Sequence, residues 1–410
     1  MRTLAAFALM AGTIAPGFGQ AEAFRRTFAA PSNHSDVATA AAVTSTGLAY
    51  VAGRAYDPGT ASEVGYLLAY DAKGLLLWAR SQPVLGGSAT PERLAVSTGS
   101  RDVWMASRVN VGNGWAVRVQ RVSPSGVLLF QVDVPGSSFS LDPCALVVDG
   151  FGNAYLTDEV GSQPYVAKIG PAGQLLWQTW LVGGSGAQGT GIALVSSSGV
   201  VATGIRADVQ GGYYAARLDS DGALVWSKFD AGQIGNTLGP SFVETAEGVV
   251  VVATNPESSF GITQYRIARL NLSDGTTLWS QDYSPNPMND AKAAGLSLDR
   301  AGNAYVCARR IVPFTGAVVK YSPGGGRLWE ANPSDAGSAL ATDPLGGVLV
   351  CSWDGWVRRF AASGQETYAR RHSGDSLETI AANALGRTVA VGSSNLDFVA
   401  VGVLVGPVAR

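Results

Sequence analysis

"AFRRTFAAP", Ala23 to Pro31, is the stretch on which the fold turns. It reads as one short strand, Phe24 to Ala29, with no partner beside it in the sequence. A strand on its own leaves its backbone donors and acceptors unpaired, so its mate has to come from elsewhere in the chain. The residues before it have the form of a secretory leader. Arg2 supplies the charge, Leu4 to Ala15 the apolar stretch, and Ala21-Glu22-Ala23 a small-x-small cleavage site. The expected organisation is therefore a signal peptide over 1–23 and a single domain over 24–410, placed in the periplasm or secreted. The leader's apolar stretch is too short to span a bilayer and no later one is long enough, so no transmembrane segment is expected.

The rest of the chain is one unit repeated, a pattern best sought before any local reading. A glycine followed four residues later by an aromatic recurs seven times. It ends at Trp78 ("DAKGLLLW"), Phe130, Trp177, Trp226, Trp279, Trp329 and Tyr368. A second glycine pattern interleaves with it, as in "TSTGLAYVAG" and "DRAGNAYVCA". Its turn glycines are Gly47, Gly99, Gly152, Gly199, Gly248, Gly302, Gly346 and Gly386. Glycine supplies the positive φ of tight hairpins, and the β-branched runs around it, such as "VVVVAT", favour strands. Each unit then holds four strands, A to D, with one glycine turning A into B and the other C into D. Four-stranded units of this length are the signature of a β-propeller.

The two patterns differ in number, and that difference places the opening strand. Eight A–B hairpins meet only seven C–D turns. The last unit, "DSLETIAANALGRTVAVGSSNLDFVAVGVLVG", lacks a fourth strand, and Phe24 to Ala29 is a D-like strand with nothing before it. The expectation is an all-β, eight-bladed propeller of four-stranded antiparallel blades. The N-terminal strand closes the last blade, with Phe28 in the place that Trp78 holds in blade one. Closure removes the sheet edge that an open array would expose.

The "D-x-x-G-N-A-Y" form at Asp149–Tyr155 and Asp299–Tyr305 resembles the repeats of secreted bacterial β-propellers. The "G-x-L-L-W" form resembles the repeat of the pyrroloquinoline-quinone (PQQ)-like propellers. The resemblance implies that each D-strand aromatic docks on the next blade. Tyr66, Tyr165, Tyr214 and Trp356 are read as core. Asp71, Asp149, Asp221 and Asp299 are read as turn residues that bond back to their own backbone.

Composition narrows the function classes. The formal charge is −2 and only 15% of residues are charged, so no global field draws the chain to nucleic acid. Cys144, Cys307 and Cys351 are too few and too scattered for a disulfide framework and read as buried small hydrophobes. The PQQ-like resemblance would imply a quinoprotein dehydrogenase if its chemistry came with it. That family's pattern calls for a vicinal Cys pair, a calcium-binding carboxylate cluster and a base Asp, and none of these stands out. His occurs only at His34 and His372, each following a D strand. No catalytic residue, metal ligand set or cofactor is therefore assigned. Asp158, Glu159 and Asp354 are the candidates for carboxylate chemistry.

In a four-stranded meander the B–C and D–A connections share one face. Here they are long and irregular, and binding residues gather on such loops when a rigid scaffold holds them. Strand B ends there, seven residues after the A–B glycine, at Arg54, Glu159, Arg206, Asn255, Arg309, Trp353 and Ser393. Blade two, two residues longer, offers Arg108. Arg54, Arg108, Arg206, Arg309 and Trp353 are the candidate ligand-binding residues. Guanidinium forks suit carboxylate or phosphate, so the expected partner is a protein or polysaccharide presenting an anionic group. The expected function is non-enzymatic binding or scaffolding on this face. The alternative is an enzyme acting on polysaccharide or using a PQQ-like quinone.

Overall fold

The computed structural model describes residues 20–405 apart from 31–35, 60, 83–87, 111–113, 137–144, 182–186, 196–198, 207–211, 232–241, 256–263, 284–290, 311–313 and 396. Among the described residues there are thirty-two strands, β1 to β32 in chain order, and no helix. They form eight separate four-stranded sheets, each a run of consecutive antiparallel neighbours. Seven blades span 36–82, 89–135, 145–180, 188–231, 242–283, 291–331 and 337–371. The eighth combines β30 (Asp375–Ala382), β31 (Arg387–Ser394) and β32 (Asp397–Val405) with β1 (Gln20–Phe28). The opening strand thus finds its partner at the far end of the chain and closes the ring.

Two details of that closure differ from the reading of the sequence. The strand starts at Gln20, upstream of Phe24, and Gln20 faces Val405 in the register. Glu22 belongs to it and pairs with Arg370 at 2.9 Å. The aromatic that substitutes for a D-strand tryptophan is Phe24, not Phe28. A Cβ on Gly74, in blade one, would lie 2.3 Å from the Phe24 ring. At the corresponding glycines, Gly126, Gly222, Gly275, Gly325 and Gly364, it would meet a tryptophan of the preceding blade at 2.6–2.9 Å. Phe28 lies four residues further along the strand, between Tyr66 and Phe398. The register decides this, because Phe24 opposes Gly402, whose missing side chain leaves room for the ring.

The D-strand aromatics latch neighbouring blades together. The indole N–H groups of Trp78, Trp177, Trp226, Trp279 and Trp329 donate to the carbonyls of Pro124, Ser220, Leu272, Pro323 and Ala362 at 2.8–3.0 Å. Each acceptor belongs to the C–D turn of the next blade, as the repeat resemblance implied. Only glycine fits under the ring, and that same glycine holds the positive φ of the turn.

Arg25 completes the closure with a fork onto Asp375 (2.9 and 2.6 Å) and a bond to Ser394. Carboxylates hold the hairpins by accepting their own backbone N–H groups, as expected: Asp149 and Asp299 in A–B turns and Asp71 in a C–D turn; in the C–D turn of blade four the acceptor is Asp219, not Asp221. In blade two the positive φ falls on Arg101 (62°), not on Gly99. Counted from Arg101, Arg108 is again seven residues on, so the apparent insertion lies inside the turn.

Candidate functional site

The innermost strand of each blade lines the axis and runs from the long-loop face toward the turn face. In six blades it carries a one-residue bulge, at Thr39, Glu92, Thr190, Ala294, Ser338 and Glu378. A bulge re-aims the side chain it carries. Thr39 and Ser338 use it to donate to Pro91 and Leu377 at 2.6 Å, in each case the carbonyl just ahead of the next blade's bulge. Glu92 and Glu378 place carboxylates at the same level.

These bulges surround an open axial cavity of about 830 Å³. Arg54, Arg93, Arg309, Glu92, Glu378, Trp353 and Phe242 are the charged and aromatic groups in its lining. Arg309 is the penultimate residue of β23 (Ala304–Arg310) in blade six, and its guanidinium lies 4.2 Å over the Trp353 ring of blade seven. Trp353 in turn donates its indole N–H to Glu378 of blade eight at 2.9 Å. The Arg309 Nε is buried without a hydrogen-bond partner. Burial lowers the Arg309 pKa from its ordinary value, partly offset by Cys307 and Glu378. A desolvated guanidinium stacked on an indole, with no carboxylate fork against it, presents unspent donors to the cavity.

The five sequence-derived candidates separate on inspection. Arg54, Arg309 and Trp353 line the same cavity. Arg54 also approaches Glu63 at 3.4 Å, in an exposed pair. Arg108 is buried and engaged, with Glu92 at 3.0 Å and Asp158 at 3.3 Å. It links blades two and three rather than opening to the axis. The Arg206 backbone pairs with Gly212, and its side chain lies outside the described residues. Asn255, at the equivalent point of blade five, exchanges hydrogen bonds with the Ala293 backbone beside the blade-six bulge.

Sequence reasoning missed Arg93 and Glu378. The signal was faint: both sit in inner strands at a bulge, and a bulge breaks the alternation that would reveal a residue's direction. The acids considered for catalysis do not converge on the cavity. Asp158 and Glu159 are buried at the end of a blade-three strand, and the Asp354 carbonyl accepts a bond from Arg371 in a turn. Cys307 and Cys351 are buried free thiols with raised pKa values, as desolvation dictates. Cys144 and His34 lie outside the described residues. His372 is buried 3.6 Å from Glu22. Burial lowers its pKa, against Glu22 and Asp375. Among the described residues no three His, Cys, Asp or Glu side chains gather as metal ligands.

This geometry defines a PQQ-like propeller: eight four-stranded blades around an axial cavity, five of them latched to the next by a D-strand tryptophan. The comparisons with known proteins agree. The family described as "Outer membrane protein assembly factor BamB" matches residues 164–394, more than half of the chain. The chain belongs to that family. Among solved structures, BamB from Moraxella catarrhalis is similar over 94% of this chain and 99% of its own, with 15% identity and a TM-score of 0.60. A quinohemoprotein alcohol dehydrogenase, ADHIIG from Pseudomonas putida HK5, is similar over 95% of this chain and 77% of its own, with 12% identity and a TM-score of 0.66. Sqt1 from Saccharomyces cerevisiae is similar over 93% and 98%, with 11% identity and a TM-score of 0.64. At these identities the structural likeness speaks to the fold alone. No curated protein sequence matches the chain.

Proposed function

We propose that the chain is a non-enzymatic binding propeller of the cell envelope that docks a protein partner on its long-loop face. The observation that carries this reading is the Arg309–Trp353 stack at the axial cavity, whose guanidinium has no acid forked against it among the described residues. The ends of the second strands of blades six and seven hold this group, and variable loops surround it. The family's description, an outer-membrane protein assembly factor, supports a protein partner and an envelope location. The sequence over 1–23 supports export, to the periplasm or beyond.

The test places a photo-crosslinking residue at position 54 on the loop face, and at position 151 on the turn face, in cells that make the protein. A discrete protein adduct from position 54, lost when Arg309→Ala is added, is the expected result. Adducts from position 151 alone would move the docking face to the other side. Stoichiometric calcium or quinone in the purified chain, or saturable binding of an acidic polysaccharide in place of protein, would favour the alternative of a polysaccharide-acting or quinone-dependent protein.

A further inference from the structure

The axial cavity has two levels of different chemistry. This inference rests on the loop-face reading above and asks what the site holds. The upper level carries Arg54, Arg93, Arg309, Glu92 and Glu378. Both glutamates are already engaged, Glu92 by Arg108 and Glu378 by the Trp353 indole. These five groups leave the lining with one positive charge in excess. Arg309 has an unpartnered Nε and no carboxylate within ion-pair distance among the described residues.

The lower level is apolar. Leu94, Leu296, Leu340 and Ile380 line the same cavity, each two residues beyond a bulge residue on its inner strand, with Phe242 contributed by blade five. Two residues along a strand is about 6–7 Å. The apolar ring therefore lies one pleat deeper than the bulge residues. The cavity volume is within the range of small-ligand pockets, roughly 300–1,000 Å³.

We propose that this cavity binds an amphipathic monocarboxylate. Its head lies on the Arg309 fork beside Trp353 and its apolar body points down the axis into the ring of Leu94, Leu296, Leu340 and Ile380. The planar guanidinium fork matches a carboxylate. The single excess charge, with two glutamates in the wall, favours one negative charge over a phosphate dianion or a polyanion. Such a head and body belong either to a free medium-chain carboxylate or to a peptide ending in apolar residues, and the two share the chemistry recognised here.

The test is isothermal titration of the full mature chain. The probes are decanoate, decanol, an N-acetylated tetrapeptide of apolar residues as its free acid, the same peptide as its amide, and succinate. The expected result is binding of at least one of the two monocarboxylates, with its neutral counterpart and succinate at least tenfold weaker. Arg309→Gln weakens that binding at least tenfold with unchanged thermal melting, whereas Arg118→Gln, on the Asp133 pair away from the axis, does not. Decanoate alone binding identifies a free carboxylate; the peptide acid alone identifies a chain terminus. Binding of neither, equal binding of acid and neutral counterpart, or full binding by a folded Arg309→Gln chain overturns the proposal. A position-54 adduct that still depends on Arg309 while neither carboxylate binds would leave the docking function standing and remove only this ligand.

Discussion

Phe24 packs on Gly74, the residue that turns strand C into D in blade one, and is one of seven D-strand aromatics, among the described residues, that sit on the C–D turn glycine of the next blade. The contact joins the N-terminal strand to blade one while its backbone is bound to β32. Phe24→Ala should therefore loosen two blades at once and cost about 3–5 kcal/mol. Phe28→Ala, at a half-buried ring, should cost less. Gly74→Ala adds a methyl against the Phe24 ring at a φ of 78° and should destabilise by more than the ~1–2 kcal/mol of the backbone conformation alone. Chemical denaturation of the three variants orders them.

The tryptophan latches offer a second measurement. Trp226 is buried and donates to Leu272 at 2.8 Å. Trp226→Phe keeps much of the ring and removes the donor, leaving a cost of about 1–3 kcal/mol for the stranded acceptor and the lost volume. Trp226→Ala also empties the space between blades four and five and should cost about 3–5 kcal/mol. If both variants melted like the parent, the blade latch would be no more than a contact.

The arginines at the strand-B ends should behave differently from one another, although their sequence positions are equivalent. Arg108 has 8% side-chain exposure and its partner Asp158 has none, so removing the guanidinium strands the buried Asp158 and takes a partner from the half-buried Glu92. Arg108→Met should cost about 3–5 kcal/mol. Arg54 and Glu63 are 42% and 36% exposed, and Arg54→Met should cost less than about 1 kcal/mol. Thermal melts separate the structural arginine from the available one.

Much of this architecture was legible in the chain because repetition multiplies weak signals. A single "GLLLW" says little, but seven copies fix the hairpins, and the missing eighth C–D turn points to the N-terminal strand. What the repeat could not settle was local. Phe24 and Phe28 are both aromatic, and only the register against Gly402 decides which one meets Gly74. The strand-B position was found by counting, yet counting could not show that Arg108 turns into an ion-pair network while Arg309 stacks on Trp353. Side-chain direction depends on neighbouring blades distant in sequence. Glu378 escaped notice because the inner-strand bulge interrupts the period of two.

Glu244 gives a pH signature. It lines a cavity at the turn-face end of the axis together with Glu247, Arg269, Asp299 and Arg300. Desolvation alone pushes its carboxyl from 4.5 up to about 7. A folded-state pKa above the unfolded one means the native state binds the proton more tightly. Its stabilising contribution is complete below about pH 4.5 and is lost as the pH rises toward 7. Against the parent, Glu244→Gln should therefore show a smaller loss of melting temperature between pH 5 and pH 7.5, in the ~2–3 unit window over which linkage acts. Parallel curves for the two chains would show that Glu244 is solvated and titrates normally.

Ring closure by the first strand is the claim from which the blade count, the two faces and the axial cavity follow, and a cross-link tests it most directly. Arg26 and Ala400 are register partners on β1 and β32. The double variant Arg26→Cys, Ala400→Cys, in a Cys144→Ser background with Cys307 and Cys351 left buried, should oxidise within the monomer to one disulfide joining the two ends of the chain. Mass spectrometry would then recover the peptide around position 26 linked to the peptide around position 400. Free thiols at both positions, or a bond formed only between two molecules, would contradict the closed ring.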